Sequence, residues 1–127
     1  MASAREVIEI PGMAHNAPIP IGAKIRNLVF SSAISGRDPQ TNELSPDPDR
    51  QAEVLFGNLR SFMEQAGGSS ANIAHMTVFL REESYRDSIN KEWLKMFPNE
   101  KDRPARHAIK VELRGEMLFQ VEVIAVL

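Results

Sequence analysis

The chain has 127 residues, 43% of them hydrophobic, and its fifteen basic and seventeen acidic residues give a net charge of −2. This length predicts a single domain over residues 1–127, and the balanced charge indicates neither a nucleic-acid nor a membrane partner. The absence of cysteine excludes disulfides, thiolate catalysis and cysteine-ligated metals. The first residues lack the apolar core of a signal peptide, and no stretch approaches the ~18 apolar residues of a membrane span. A cytoplasmic protein is therefore predicted.

The amino-terminal half predicts two strands followed by a long helix. The strand candidates are Val7–Ile10 and Ile25–Ala33, with Gly22 as a turn before the second. Apolar residues then recur at helical spacing between positions 52 and 66. Asp47 or Asp49 can cap the start of this helix by accepting hydrogen bonds from its free amides, and Gly67-Gly68 ends it.

The carboxyl-terminal half predicts a strand, a second helix and two further strands. The strands are Ile73–Leu80, Ala105–Leu113 and Met117–Val126. Ser84 and Asp87 resemble a capping box that opens the helix, and Pro98 stops it. Two amphipathic helices on one face of a mixed sheet make an α+β sandwich.

The last two strands predict a hairpin, because Arg114-Gly115-Glu116 between them suits a tight turn. If Leu113 faces Met117 across that turn, Arg106 lies diagonal to Glu122 on one face of the sheet. Diagonal neighbours are roughly 7–8 Å apart at Cα, so the two side chains would be within reach. On this geometry alone, a structural ion pair and a functional site are equally good interpretations.

An ordered set of motifs resembles one family, the reactive intermediate deaminases or YjgF family, over nearly the whole chain. The motifs are Asn27-Leu-Val-Phe-Ser-Ser, Gln51, Asn58, Thr77-Val-Phe-Leu, Asn90, Pro104-Ala-Arg106 and Val121-Glu-Val-Ile-Ala-Val. The resemblance implies a chorismate-mutase-like fold and a homotrimer whose sheets line a central barrel, with active sites in the clefts between subunits. It also implies hydrolysis of reactive 2-imino and 2-enamino acids to 2-keto acids and ammonia, without a metal or an organic cofactor.

The same resemblance implies the roles of four residues. Arg106 would hold the substrate carboxylate and Glu122 would orient the hydrolytic water, with Ser32 and Asn90 lining the cleft. The chemistry suits these roles, since a guanidinium offers paired donors to a carboxylate and an iminium needs only a positioned water and a proton acceptor. Taken alone, Ser32 and Asn90 are more simply interpreted as side chains that bond neighbouring backbone or loop groups.

Three segments of the chain depart from the family pattern. Members usually carry Ser-Gly-Gln where this chain has Ser32-Ala33-Ile34, an aromatic residue at Ile19, and often a cysteine at Ala108. We expect Ile19, Ile34 and Ala108 to lie around the substrate and to make the pocket more apolar. Two hypotheses follow: a deaminase that acts on a more apolar substrate, or a ligand-binding or chaperone-like trimer with little or no turnover.

Overall fold

The computed structural model describes residues 4–13 and 15–127, which form one mixed sheet and two α-helices. The strands are β1 (Arg5–Ile8), β2 (Gly22–Ile25), β3 (Leu28–Ser31), β4 (Ile34–Ser35), β5 (Ile73–Leu80), β6 (Ala105–Lys110) and β7 (Phe119–Val126). The helices are α1 (Pro48–Gln65) and α2 (Arg86–Met96). Short 3-10 turns, Ser70–Asn72 and Glu83–Tyr85, precede β5 and α2.

The sheet has the strand order β1-β2-β3-β7-β5-β6, and β4 pairs with β7 beyond the end of β3. The β5–β6 pair is parallel and the remaining pairs are antiparallel. Helix α2 connects the two parallel strands, as such pairs require a crossover. Both helices pack on one face of the sheet, which confirms the predicted α+β architecture.

Helix α1 begins and ends as the sequence predicts. The Asp47 side chain accepts a hydrogen bond from the Asp49 amide at the N-cap. At the other end, Gly67 has φ +90°, and the Gly68 amide donates to the Met63 carbonyl at 2.9 Å. This is a Schellman ending, in which glycine adopts the left-handed conformation at low cost.

Helix α2 begins differently from the prediction, because the capping box of Ser84 and Asp87 does not form. The helix starts at Arg86, directly after a 3-10 turn, and Tyr85 at its N-cap makes no side-chain capping bond. The 3-10 turn already supplies a partner for the first helical amide, since the Arg86 amide donates to the Glu83 carbonyl. The predicted end before Pro98 is correct, with the last helical residue at Met96.

The segment Ile25–Ala33, predicted as one strand, is instead part of a β2–β3 hairpin. The chain turns at Arg26, which has φ +55°, so the polar pair Arg26-Asn27 interrupts the apolar run. Gly22 lies in β2 and not in a turn. A Cβ at Gly22 would lie 2.3 Å from the Phe62 ring, so glycine allows α1 to pack closely on this strand.

The predicted hairpin of the last two strands is wrong. Strand β5 lies between β6 and β7 and pairs with both. The crossover through α2 places β6 beside β5 and parallel to it, so β7 occupies the other edge of β5. The segment after β6 is held by Arg81, whose guanidinium donates to the carbonyls of Leu113 and Gly115 at 2.7 and 2.6 Å.

The two faces of the sheet differ in their surroundings. The inner face packs under the helices, and its strand residues include the fully buried Val29, Met76, Val78, Val121 and Ala125. The outer face carries no helix in the described residues and exposes large apolar side chains. The most central of these are Leu28, Phe30, Ile124 and Val126, each 40–44% exposed.

Candidate functional site

Arg106 projects from the inner face at the β6 edge of the sheet. It pairs with Met76 of β5, whose side chain is buried under the helices, and paired residues of neighbouring strands share a face. Its Nη2 donates to Oδ1 of Asn90 on α2 at 2.8 Å. Its Cζ lies 4.8 Å from the centroid of the Trp93 ring, within the range of a cation–π interaction.

The guanidinium of Arg106 is only half satisfied. Its Nη1 is buried and has no hydrogen-bond partner among residues 4–13 and 15–127. Burial lowers the pKa of Arg106, and the nearby positive charge of Arg86 lowers this pKa further. Leaving a buried charged donor unpaired costs free energy, so an anion with an oxygen beside Nη1 would be stabilised here.

Glu122 belongs to the outer face. It pairs with Thr77 of β5 and is exposed in the protomer. Within the described part of the chain, its carboxylate has no hydrogen-bond or ion-pair partner. It borders a cavity of about 170 Å³ lined by Phe30, Ser31, His75, Thr77, Glu122, Val123 and Ile124.

Arg106 and Glu122 therefore do not face each other in one protomer, contrary to the predicted cross-strand geometry. Their partners on β5 are Met76 and Thr77, and consecutive strand residues point to opposite faces. The two residues belong to separate half-sites, one under the helices at the sheet edge and one on the open face.

Asn90 and Ala108 lie on the same side of the sheet as Arg106. Asn90 contacts the guanidinium directly. Ala108 pairs with the buried Val78 and packs partly buried against the core. The resemblance thus identifies an asparagine that does contact the arginine, and the simpler interpretation of Asn90 as a loop-bonding residue is wrong.

Ser32 and Ile19 lie beside β2 and β3. Strands β7 and β5 separate them from β6, which carries Arg106. The Ser32 hydroxyl donates to the Pro20 carbonyl at 2.9 Å, which agrees with its simpler interpretation as a backbone-bonding residue. Ile19 is 54% exposed in the segment before β2. Ile34 is 1% exposed in β4, opposite Val121, so it is a core residue, and the expectation that it lies beside the arginine is wrong.

Several residues of the two half-sites escaped the sequence reasoning. Ser31, and not Ser32, lines the cavity of Glu122, together with His75 and Thr77. The alternation of His75 and Thr77 along β5 was visible in the sequence. That these side chains border a cavity with Glu122 depends on the pairing of β5 with β7. Trp93 of α2 is largely buried and also packs on the Arg106 guanidinium.

Residues 4–13 and 15–127 bring together no group of three or more His, Cys, Asp or Glu side chains that could hold a metal ion. In the same ranges, neither α-helix combines the length and apolar character that crossing a membrane requires.

Comparison with known proteins gives the family. The model of the endoribonuclease L-PSP family matches residues 15–127. The chain belongs to this family, the Rid or YjgF family. A RutC family protein of Pasteurella multocida is 31% identical, covering 87% of this chain and 92% of the relative. A RutC family protein of Pyrococcus abyssi is 30% identical, covering 96% of this chain and 97% of the relative.

Solved structures of Rid proteins share the fold. Escherichia coli TdcF with bound serine has a TM-score of 0.87 and 27% identity, covering 96% of this chain and 98% of TdcF. The Rid family protein YyfA of Yersinia pestis has a TM-score of 0.89 at 22% identity, covering 97% of this chain and 99% of YyfA. The family and the fold predicted from the sequence motifs are both confirmed.

Proposed function

We propose that this Rid protein is a cofactor-independent deaminase that hydrolyses reactive 2-imino and 2-enamino acids to 2-keto acids and ammonia. The observation that carries the proposal is Nη1 of Arg106, which is buried and has no hydrogen-bond partner within the described residues. A small anion is the ligand that satisfies this donor, and every 2-imino, 2-enamino and 2-keto acid carries a carboxylate.

The surroundings of Arg106 support a carboxylate anchor. Asn90 holds Nη2 and Trp93 supports the plane of the guanidinium, so one donor is fixed and the other is aimed at a ligand. Such preorganisation reduces the side-chain entropy lost on binding. TdcF, a Rid relative of the same fold, binds serine, which also carries a carboxylate.

Glu122 supplies the second chemical requirement, a proton acceptor for water. In the proposed reaction a water oxygen bonds to the imine carbon, the C=N π pair moves to nitrogen, and Glu122 takes a proton from the water. The carbinolamine then expels ammonia and leaves the 2-keto acid. The iminium carbon is already electrophilic, so the residues need only position the reactants.

We further propose that the two half-sites meet between subunits of a homotrimer. Arg106 and Glu122 occupy opposite faces of one sheet, so a single reacting molecule can contact both only if they come from two protomers. The exposed apolar residues of the outer face, Phe30 and Ile124 among them, support an interface there. A second copy of this chain is the partner that completes both half-sites.

Mixed trimers test this arrangement. Arg106→Ala and Glu122→Gln variants, each expected to be inactive alone, are unfolded and refolded together in equal amounts. If a site takes Arg106 from one subunit and Glu122 from the next, random assembly gives about a quarter of sites with both groups intact. Release of pyruvate from freshly generated 2-iminopropanoate is the measurement.

A matched control replaces the Glu122→Gln partner by the double variant Arg106→Ala/Glu122→Gln, which supplies neither intact group to any site. This mixture should stay inactive. Mixed trimers verified by mass spectrometry that show no regained activity would contradict the shared site. Sedimentation of the wild type as a monomer at micromolar concentration would contradict the trimer as well.

The second candidate is a ligand-binding or chaperone-like trimer of the same family with little turnover. The aliphatic residues Ile19 and Ala108 favour this second candidate, because family members usually carry an aromatic side chain at the first position and often a cysteine at the second. This candidate keeps the anion site at Arg106 but gives Glu122 no role. Pyruvate binding to the wild type, combined with imine hydrolysis no faster than in buffer, would support it over the deaminase.

A further inference from the structure

The cavity beside Glu122 contains a second proton-transfer group. We propose that His75 acts there as the general acid that protonates the departing amine, an inference that rests on the proposed deaminase function. It assigns a catalytic role to a residue outside the family motifs, and three observations on the outer face support it.

The first observation is position. His75 pairs with Ile124 and Thr77 pairs with Glu122, so His75 and Glu122 are diagonal neighbours on two adjacent strands. Diagonal neighbours lie roughly 7–8 Å apart at Cα, within reach for long side chains. Both line the same cavity of about 170 Å³, which is large enough for water and a small substrate group.

The second observation is that both groups are unengaged. Across residues 4–13 and 15–127, neither the His75 imidazole nor the Glu122 carboxylate has a hydrogen-bond partner. The Ser31 hydroxyl accepts a bond from the Val123 amide at 2.8 Å, which leaves its own proton to be donated. An acid, a base and a hydroxyl therefore border one small space without bonding to each other.

The third observation is the setting. Phe30 and Ile124 form apolar walls of the cavity, and the rest of the outer face is largely apolar. A histidine enclosed there without a partner would cost free energy when a second subunit covers the face. A substrate nitrogen that exchanges a proton with the ring would offset this cost.

The proton balance of the step requires both groups. Glu122 takes one proton from the attacking water as the C–O bond forms. The protonated His75 then gives its proton to the amine nitrogen, the C–N bond breaks with its electron pair going to nitrogen, and the hydroxyl proton passes to the released ammonia to give ammonium. The proton on Glu122 returns to His75, so both groups are reset.

The test compares His75→Gln with His107→Gln, in steady-state turnover of freshly generated 2-iminopropanoate. His107 pairs with Thr77 from the other side on the same outer face but does not line the cavity, so it is a matched control. Removing a general acid costs on the order of 10²-fold or more in kcat. We expect that loss for His75→Gln with little change in KM, and unchanged kinetics for His107→Gln.

The pH profile separates proton donation from a structural role. The acid must carry its proton, so wild-type kcat should fall as pH rises, and this decline should be absent in His75→Gln. Among the described residues of the two strands that flank β5, Glu122 of β7 and His107 of β6 are the titratable groups on the same face as His75, and their single variants assign their contributions. Added imidazole should restore turnover to His75→Ala.

The outcomes are distinguishable. A wild type without turnover refutes the proposed function and this role together. An active wild type, with kcat and pH profile unchanged in His75→Gln, overturns the role of His75 alone. If the variants do not assemble, NMR of the wild type decides, because the chain has only three histidines. Pyruvate should shift the ring signals of His75 and not those of His15, and unmoved His75 signals would overturn the proposal.

Discussion

Replacement of Arg106 by lysine or alanine gives a sharp test of the anion site. The native guanidinium bonds Asn90 through Nη2 and keeps Nη1 for the ligand. Lysine keeps a charge but presents one ammonium on a flexible stem and loses the planar fork. Loss of a charge-assisted hydrogen bond costs about 1.5–3 kcal/mol, which corresponds to a ten- to hundredfold weaker affinity for pyruvate. Alanine should weaken pyruvate binding further.

The lysine variant should also acquire a pH dependence that the wild type lacks. Burial disfavours the charged form, and this effect lowers the pKa of Arg106. Arginine remains charged at neutral pH because its ordinary pKa lies far above 7, whereas lysine starts lower, near 10.4. The same desolvation lowers the pKa of a lysine at this position. Its affinity for pyruvate should therefore fall as pH rises from about 7 toward 10, while wild-type affinity stays level.

Isothermal titration calorimetry with pyruvate measures these affinities directly. Arg60→Ala is the matched control, because Arg60 is exposed on α1 and its removal changes the net charge by the same amount. We expect the control to bind pyruvate as the wild type does. Equal weakening in Arg60→Ala and Arg106→Ala would show that net charge alone governs binding, and unchanged affinity in Arg106→Ala would refute the site.

Two further predictions concern the scaffold. Gln51 is fully buried on α1 and accepts a hydrogen bond from the Leu118 amide, while its own amide donates to two loop carbonyls. Gln51→Leu should lower the free energy of unfolding by about 3 kcal/mol, because these groups lose their partner. Urea denaturation measures this change, and an unchanged midpoint would contradict the prediction. Asp49 accepts bonds from Lys91 and Ser88 of α2. Both bonds lower the pKa of Asp49, and the bond with Asp49 raises the pKa of Lys91. The Asp49–Lys91 contribution should be fully present between their ordinary pKa values of 3.8 and 10.5 and be lost as pH falls through the lowered carboxyl pKa or rises through the raised ammonium pKa. The difference in thermal midpoint between wild type and Asp49→Asn should shrink at both extremes, and a constant difference would count against the pair.

Elements whose signals are local could be predicted from the sequence. The apolar stripe, capping aspartate and terminal glycines of α1 are all contained in one short stretch, and the structure agrees with each of them. The ordered motifs likewise identified the family. The β2–β3 turn was missed because Arg26 adopts a positive φ that is uncommon for a residue other than glycine or asparagine.

Pairing between strands could not be predicted in the same way, since it depends on segments that are distant in sequence. The short turn at Gly115 and two alternating runs satisfied every local condition for a hairpin. The deciding constraint came from elsewhere, because α2 is the crossover that a parallel β5–β6 pair requires. Arg81 then bonds the connecting segment that the hairpin turn would have used.

This pairing changes the meaning of the site residues. In a hairpin, Arg106 and Glu122 share a face because both occupy even positions of facing strands. With β5 between them, they are registered to Met76 and Thr77, which are consecutive residues of one strand. Consecutive residues point in opposite directions, so the two groups are separated by the sheet itself. No rotamer change in one protomer can bring them to the same substrate. A reaction that uses both Arg106 and Glu122 therefore requires a second copy of the chain. The mixed-trimer experiment tests assembly and catalysis together for this reason.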